Sequence, residues 1–448
     1  MLICCIFLFT FFTIAGAYEA LNGPTGVLLY NKAKAYNGYT LFSPNGAIRP
    51  PVTWLIDMEG YVVHKWKTKH QPGSHSMLLP NGNLLTGGVD RKGPVGIGGK
   101  GGFVVEYDWD GNVVWEYKMS SPTVQQHHSF YRMPNGNTLI LGWERKSKEE
   151  AVKKGRKPGT FPEKIKAGGK VHDAFWPDFI REVNREKQTV WEWHAWDHIG
   201  MGPKKLNINY ALPRPIGAVY WNFDWTHGNT VGYIAKTDQV IFNSRNFGEF
   251  FVINHKTGEI DYRWGNPSTY GGGKAPSFYD DGDQQIFGQH HVTALENGNF
   301  QIFDNGSERP EGNRSRVVEV DPRTNKVVWE YEAKDSTSFF SYRQGAAQRL
   351  PNGNVLVTST NHGHLFEVTQ KKEVVWEFVN PLTRKGPRCV LQDHDAQFFK
   401  LHNFMSNMIH RAYRYAPDYP GLKGKDLSKK TPLVLGCPEF WRIYGVTK

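Results

Sequence analysis

Acidic residues are in short supply in this 448-residue chain: 43 Asp and Glu against 54 Lys and Arg leave a formal charge of +11. Such an excess can mark a nucleic-acid surface, but here it is localised. Nine Lys and Arg against three acids lie between Lys146 and Lys170, so about half the surplus sits in one Gly/Lys-rich stretch. Charge runs of this kind stay in water. Segment 146–170 therefore reads as a solvated insertion with no nucleic-acid partner, and the milder remainder can draw a small anion into a cleft.

Long apolar runs are equally scarce. The one candidate, Leu2 to Ala17, falls short of the ~20 residues that span a bilayer and ends in the small-x-small pattern Ala15-Gly16-Ala17. It reads as a signal peptide over residues 1–17, with an uncleaved anchor as the alternative. No later segment is apolar enough to cross a membrane, so a secreted protein without a stable membrane span is expected. Cysteine numbers only four, and Cys4 and Cys5 lie in that first run. The remaining pair, Cys389 and Cys437, predicts one disulfide in an oxidising compartment. Asn305-Gly306-Ser307 and Asn313-Arg314-Ser315 match the N-glycosylation acceptor.

Several catalytic signatures are missing too. There is no G-x-S-x-G elbow and no phosphate-cradling loop for a nucleotide. Gly96-Ile-Gly-Gly-Lys-Gly101 fits G-x-G-x-x-G but leads into the strand-like Phe103-Val-Val-Glu-Tyr107 rather than a helix, so it reads as a flexible loop. Asp280-Asp-Gly-Asp283 lacks the spaced ligands of a calcium loop and reads as a solvated turn. No cofactor and no metal are expected.

What the chain has is glycine, 47 residues, proline, 26, and 14% aromatics, a composition of turn-rich β structure. It also has a repeat. A unit "turn, x, Val-Val-Trp-Glu-aromatic" recurs six times, in runs ending at Trp66, Tyr117, Trp193, Trp264, Tyr331 and Phe378. Interleaved with it is "Leu/Met-Pro-Asn-Gly-Asn-x-Leu", starting at Leu79, Met133 and Leu350, with Leu295-Glu-Asn-Gly-Asn-Phe300 as its variant. Asn-Gly between apolar runs signals a hairpin, expected here as a type I′ turn. Four-stranded blades spaced by roughly 50 to 75 residues predict an all-β, six-bladed β-propeller. Its expected bounds are a lead-in over 18–50, the propeller over 51–410 and a C-terminal tail over 411–448. The repeated aromatics are assigned to packing between blades.

Histidines gather at one place in this repeat, ahead of the Asn-Gly turn: His75, His128 and His290, with His227 and His394 opening comparable runs. Inner strands of a propeller all start at one mouth of the central channel. A ring of imidazoles at that mouth is expected, supplying a nucleophile and acid/base groups at one place. Arg245, in Phe242-Asn-Ser-Arg245, adds a fork of donors suited to an oxyanion. Such a ring also suits copper or zinc, and a propeller can bind a ligand without chemistry. A metal-dependent oxidoreductase and a non-catalytic binding module are therefore the competing readings.

Here the chain resembles the arylsulfate sulfotransferase family, which moves sulfuryl groups between phenols without a nucleotide donor. The likeness runs through Asn222-Phe-Asp-Trp-Thr-His-Gly-Asn229, Val240-Ile-Phe-Asn-Ser-Arg245, Phe287-Gly-Gln-His290, Phe303-Asp-Asn-Gly306 and Ser315-Arg-Val-Val-Glu319. It implies an aryl sulfate donor and a phenolic acceptor as partners, and a ping-pong cycle through a sulfohistidine at His290. It further implies His227, Asn229 and Arg245 around the sulfuryl oxygens, and His128 or its neighbour His127 as acid/base. His127, His291, His75 and His394 are kept as substrate-binding candidates.

Overall fold

The computed structural model describes residues 25–45, 51–160, 165–167, 169–210, 223–383, 386–387 and 407–433. Residues 1–24, with the expected signal peptide, lie outside that range, as do His394, Cys389 and Cys437.

Six antiparallel sheets, four of them four-stranded and two five-stranded, stand around a channel as the blades of a β-propeller. The first blade runs from its inner strand Pro72–Leu78 outward to Val113–Lys118. The second runs from Val124–Arg132 to Thr189–His194, the third from Gly228–Ile234 to Ile260–Trp264, and the fourth from His290–Ala294 to Lys326–Glu332. The fifth runs from Ala346–Arg349 to Val374–Val379 and gains an extra outer strand, Gly26–Tyr30.

Closure of the ring comes from the chain ends. The sixth blade takes its inner strand, Ile409–Tyr415, from the C-terminal side and its outer three, Tyr39–Pro44, Val52–Ile56 and Tyr61–Lys67, from the N-terminal side. Strands of the expected lead-in and tail are thus structural parts of two blades.

The repeated tryptophans lock each blade to the next. The indole Nε1 of Trp66 donates to the carbonyl of Asp108 at 3.0 Å, Trp115 to Arg185 at 3.0 Å and Trp193 to Gly258 at 3.0 Å. Trp264 donates to Asn325 at 3.1 Å, Trp329 to Gln370 at 3.1 Å, and Trp376 returns to Met58 of the sixth blade at 2.9 Å. A buried indole N–H needs a partner, and here it takes the outer turn of the neighbour. Trp66, Trp193 and Trp264 sit two residues later in the repeat than Trp115, an offset that keeps the side chain on the same face of the strand.

The Pro-Asn-Gly-Asn turns differ from expectation. Only their glycines, Gly82, Gly136, Gly298 and Gly353, have positive φ. A type I′ turn would need it at both central residues, and proline at Pro80, Pro134 and Pro351 holds φ negative. The chain instead makes a tight turn, Gly82 N–H to Leu79 carbonyl at 2.9 Å, followed by glycine in the left-handed region. The second asparagine has its own task. Asn83, Asn137, Asn299 and Asn354 donate to Glu106, Glu182, Glu319 and Glu367 at 2.8, 2.5, 2.7 and 2.6 Å. Three of these glutamates also bind an inner-strand arginine of the next blade: Arg132, Arg349 and Arg414.

Candidate active site

Channel side chains are aimed by strained backbone. His128, His227 and His291 have φ of 45°, 44° and 46° at the heads of the second, third and fourth inner strands, and Gln344 of the fifth has 59°. Non-glycine residues held there cost about 1–3 kcal/mol each, strain that clusters at functional sites. The three histidines lie at or beside an irregularity in their inner strands, which breaks the usual in-out alternation. Consecutive residues therefore serve two layers of one channel.

The upper layer holds His290, His227 and His128. His290 Nδ1 lies 2.7 Å from Asn305 Oδ1 and 2.9 Å from the Gly288 carbonyl. Two acceptors place the proton on Nδ1, a tautomer assigned from the hydrogen bonds. Nε2 then carries a lone pair, and the Gln344 N–H approaches it at 3.3 Å. Asn305 is fully buried, and its amide donates to the carbonyls of Ser341 and Gln344 at 2.7 and 2.6 Å. The glycan expected on Asn305 thus falls on a buried residue whose amide donors are in use. Asn313 is exposed.

His227 sets its Nδ1 against Asp224 Oδ2, and Asp224 Oδ1 accepts from Trp143 Nε1 at 3.0 Å. Burial, with the neighbouring Asp178 next, pushes the Asp224 carboxyl up to about 8. The pair therefore holds a proton near neutrality. Whichever partner carries it, His227 Nε2 keeps a hydrogen.

Between His127 and His128 the geometry makes a division of labour. His127 is wholly buried, stacks on Trp143 with centroids 3.7 Å apart, and sets Nε2 2.7 Å from Asp178. Its Nδ1 meets His128 Nδ1 at 2.8 Å. Two ring nitrogens this close share one hydrogen, and with His128 donating it from Nδ1 its own Nε2 is left as a base. The His128 ring stands 4.8 Å from that of His227. His127 is a support beneath it, not a wall of the channel as expected.

Gly99 explains the glycine-rich loop. It has φ of 80°, its carbonyl accepts from His128 N–H at 2.8 Å, and a Cβ there would come within 1.9 Å of the His128 ring. The loop expected to be merely flexible is a fitted wall of the site.

Arg245 and Asn229 flank this layer. Arg245 is buried and lies 3.7 Å from Glu308, beside a small cleft lined by Phe287, Ser307 and Pro310. Asn229 donates to the Gln289 carbonyl at 2.8 Å and accepts from Asn243 at 2.6 Å. Its amide is thus engaged in holding the peptide ahead of His290, rather than turned to an oxyanion as the resemblance implied.

The sequence missed His410. It heads the sixth inner strand, is buried, and stands 6.4 Å from the His128 ring. No Asn-Gly hairpin follows it, because that strand pairs with Tyr39–Pro44 from the other end of the chain. The alternating run Ile409-His-Arg-Ala-Tyr-Arg-Tyr415 was the available signal.

His75 and His291 do not join the upper ring. His75 stacks on Phe130 at 4.3 Å, and His291 accepts from Ala347 N–H at 3.2 Å, both beside a deeper cavity with Arg411 and Tyr413. Burial first, then Arg411 for His75, His291 and His410 and the neighbouring histidines for His128, holds all four well below the ordinary histidine value. The same is true of His290, although its bond to Asn305 pulls the other way. Among the described residues, no three His, Cys, Asp or Glu side chains form a metal-binding group.

Structural comparison gives remote matches. A protein of unknown function from Bacteroides caccae is 11% identical with a TM-score of 0.48, covering 84% of this chain and 98% of its own. A streptogramin B lyase is 10% identical with a TM-score of 0.40, covering 81% and 84%. A catalytically inactive virginiamycin B lyase from Staphylococcus aureus is 8% identical with a TM-score of 0.39, covering 79% and 88%. No curated protein matches in sequence. The arylsulfotransferase family model, in contrast, matches residues 29–385, a span that carries His128, His227, Arg245 and His290. The chain belongs to the arylsulfotransferase family and is a sulfotransferase.

Proposed function

We propose that the protein moves a sulfuryl group from an aryl sulfate to a phenol in two half-reactions through a sulfohistidine at His290. The observation that carries this reading is the bond from His290 Nδ1 to Asn305, which leaves Nε2 as a nucleophile in a buried, cationic site. A depressed pKa keeps that lone pair unprotonated at neutral pH, and only the long Gln344 N–H contact gives way for attack.

In the first half-reaction, Nε2 forms a bond to sulfur as the sulfur–oxygen bond to the aryl group breaks, and the phenolate leaves with the electron pair. Little covalent work is needed beyond positioning and charge stabilisation. Arg245 offers its donor fork to the sulfuryl oxygens, and the His227 Nε2–H adds a donor backed by Asp224. The His227–Asp224 pair also supplies the proton that the leaving phenolate takes up. In the second half-reaction, His128 Nε2 removes the proton of the incoming phenol. The phenol oxygen bonds to sulfur, the nitrogen–sulfur bond breaks with its electron pair returning to Nε2, and the proton passes from His128 to the adjacent His227–Asp224 pair, which restores the resting site. Asn229, Asn305 and His127 act by positioning.

Enzyme mixed with 4-nitrophenyl sulfate, quenched and digested under conditions that preserve nitrogen–sulfur bonds, should carry one sulfuryl mass on the His290 peptide. A label on any other residue, or full turnover by His290→Ala, overturns the assignment.

A further inference from the structure

We propose that the channel holds a second binding site, for a small aromatic monoanion such as an aryl carboxylate, in the cavity floored by Arg411, His75 and His291. That cavity has a volume of about 200 Å³. It lies farther along the inner strands than the catalytic histidines: Tyr131 follows His128, Tyr233 follows His227, and Thr293 follows His290. Its floor is buried, whereas Met77, Tyr131, Tyr233, Thr293 and Tyr413 are partly exposed. The cavity therefore faces the mouth opposite the strand heads, as a funnel with a polar floor and an aromatic rim.

Arg411 gives the floor its charge. It is 3% exposed, and no carboxylate among the described residues lies within ion-pair distance of it. Three residues on, the equally buried Arg414 pairs with Glu367 at 2.6 Å. One arm of Arg411 donates to the Asn229 carbonyl at 2.6 Å and to Thr230 Oγ1 at 3.2 Å, and the guanidinium also bonds the Tyr413 hydroxyl, while its Nε has no hydrogen-bond partner. A buried cation is costly unless an anion meets it. His291 accepts at Nδ1 and so carries its hydrogen on Nε2, 3.4 Å from the Tyr413 hydroxyl. That hydrogen goes to the Tyr413 oxygen, so the hydroxyl's own hydrogen is the second donor beside the Arg411 fork.

The walls choose the rest of the ligand. Phe130, Tyr131, Tyr233, Ile241 and Val292 offer ring faces and aliphatic surface, which an inorganic anion would leave against water. A single aromatic ring with one carboxylate satisfies both parts, its charge at the floor and its ring in the funnel. Arg411 also links this site to the other, because the Asn229 whose carbonyl it holds fixes the Gln289 carbonyl ahead of His290.

Calorimetric titration of the whole chain tests the proposal without any transfer assay, so its failure is separate from that of the sulfohistidine. Benzoate and inorganic sulfate are the two probes. One benzoate should bind per chain, and sulfate should bind at least about tenfold more weakly. Arg411→Met should weaken benzoate at least about tenfold. Thr293→Trp, placed on the partly exposed rim where it plugs the funnel, should abolish binding. If Arg411→Met does not fold, the Thr293→Trp titration decides. Arg245→Ala, in the upper layer, should leave the affinity within about twofold. The proposal is overturned by absence of benzoate binding, by binding that survives either cavity substitution, by its loss in Arg245→Ala, or by sulfate binding as tightly.

Discussion

Asn305 holds His290 by one end of its amide and the fifth blade by the other: Oδ1 accepts from the ring at 2.7 Å, and Nδ2 donates to the Ser341 and Gln344 carbonyls. Removing it frees the ring and strands two buried acceptors. We expect Asn305→Ala to lower kcat about 100-fold, the scale of a misplaced reacting group. Stability should fall by about 1–3 kcal/mol for each carbonyl left unpaired. Kinetics alongside chemical denaturation separates the two effects, and a loss of stability with normal kcat would deny Asn305 its orienting role. Intact-mass and glycopeptide analysis should find no glycan on this residue.

Gly99 gives a substitution with a local target. Alanine there meets a positive φ, costing about 1–2 kcal/mol, and its Cβ would overlap the His128 ring. Gly99→Ala should therefore impair the His128 step more than the His290 step. In stopped flow, the release of 4-nitrophenol in the first turnover should stay near the wild-type rate, while transfer to a phenol slows by about 10²-fold or more. Equal slowing of both phases would show that Gly99 serves only the fold.

Much of this fold was legible because a propeller writes the same physics six times. The tryptophan and Asn-Gly units mark strands whose side chains must meet an identical neighbour, and each tryptophan indeed bonds the next blade. Legibility failed where the repeat breaks. His410 was hidden because its blade is assembled from both ends of the chain. His75 and His291 share a sequence context with His128 and His290, yet strand irregularities turn them into a different layer. Residue spacing cannot show that, since one extra residue in a strand reverses which side chains face the channel. Asn305 was read as a surface acceptor because a three-residue motif carries no information about burial.

Acid should unfold the channel from within. His75, His128, His290, His291 and His410 are held below 6.5 in the folded state, chiefly by burial, and would take up protons near 6.5 once unfolded. Below that pH the unfolded chain binds more protons than the folded one, so stability falls as pH falls; well above it these groups contribute no slope. Each fully responding histidine adds up to about 1.4 kcal/mol per pH unit. Denaturation at pH 7.5, 6.5 and 5.5 should show a loss over the second step about three times that over the first. His410→Gln, which removes one titrating ring, should make the acid slope shallower; an unchanged slope would mean the ring titrates alike in both states.

The His227–Asp224 pair should set the alkaline limit of activity. Burial and Asp178 push Asp224 up to about 8, so the pair loses its proton as pH rises past that value. His227 then no longer donates from Nε2 with a proton in reserve, and a leaving phenolate must depart unprotonated. We expect kcat/KM for phenyl sulfate to decline above about pH 8, and to decline less for 4-nitrophenyl sulfate, whose leaving group needs no proton. Asp224→Asn removes the titrating carboxyl while keeping a polar group against His227 and Trp143. It should lower kcat/KM for the poor leaving group by about 10²-fold or more and shift or abolish the alkaline limb. An unaltered limb in that variant would place the proton elsewhere, with the His127–Asp178 support of His128 the next group to test.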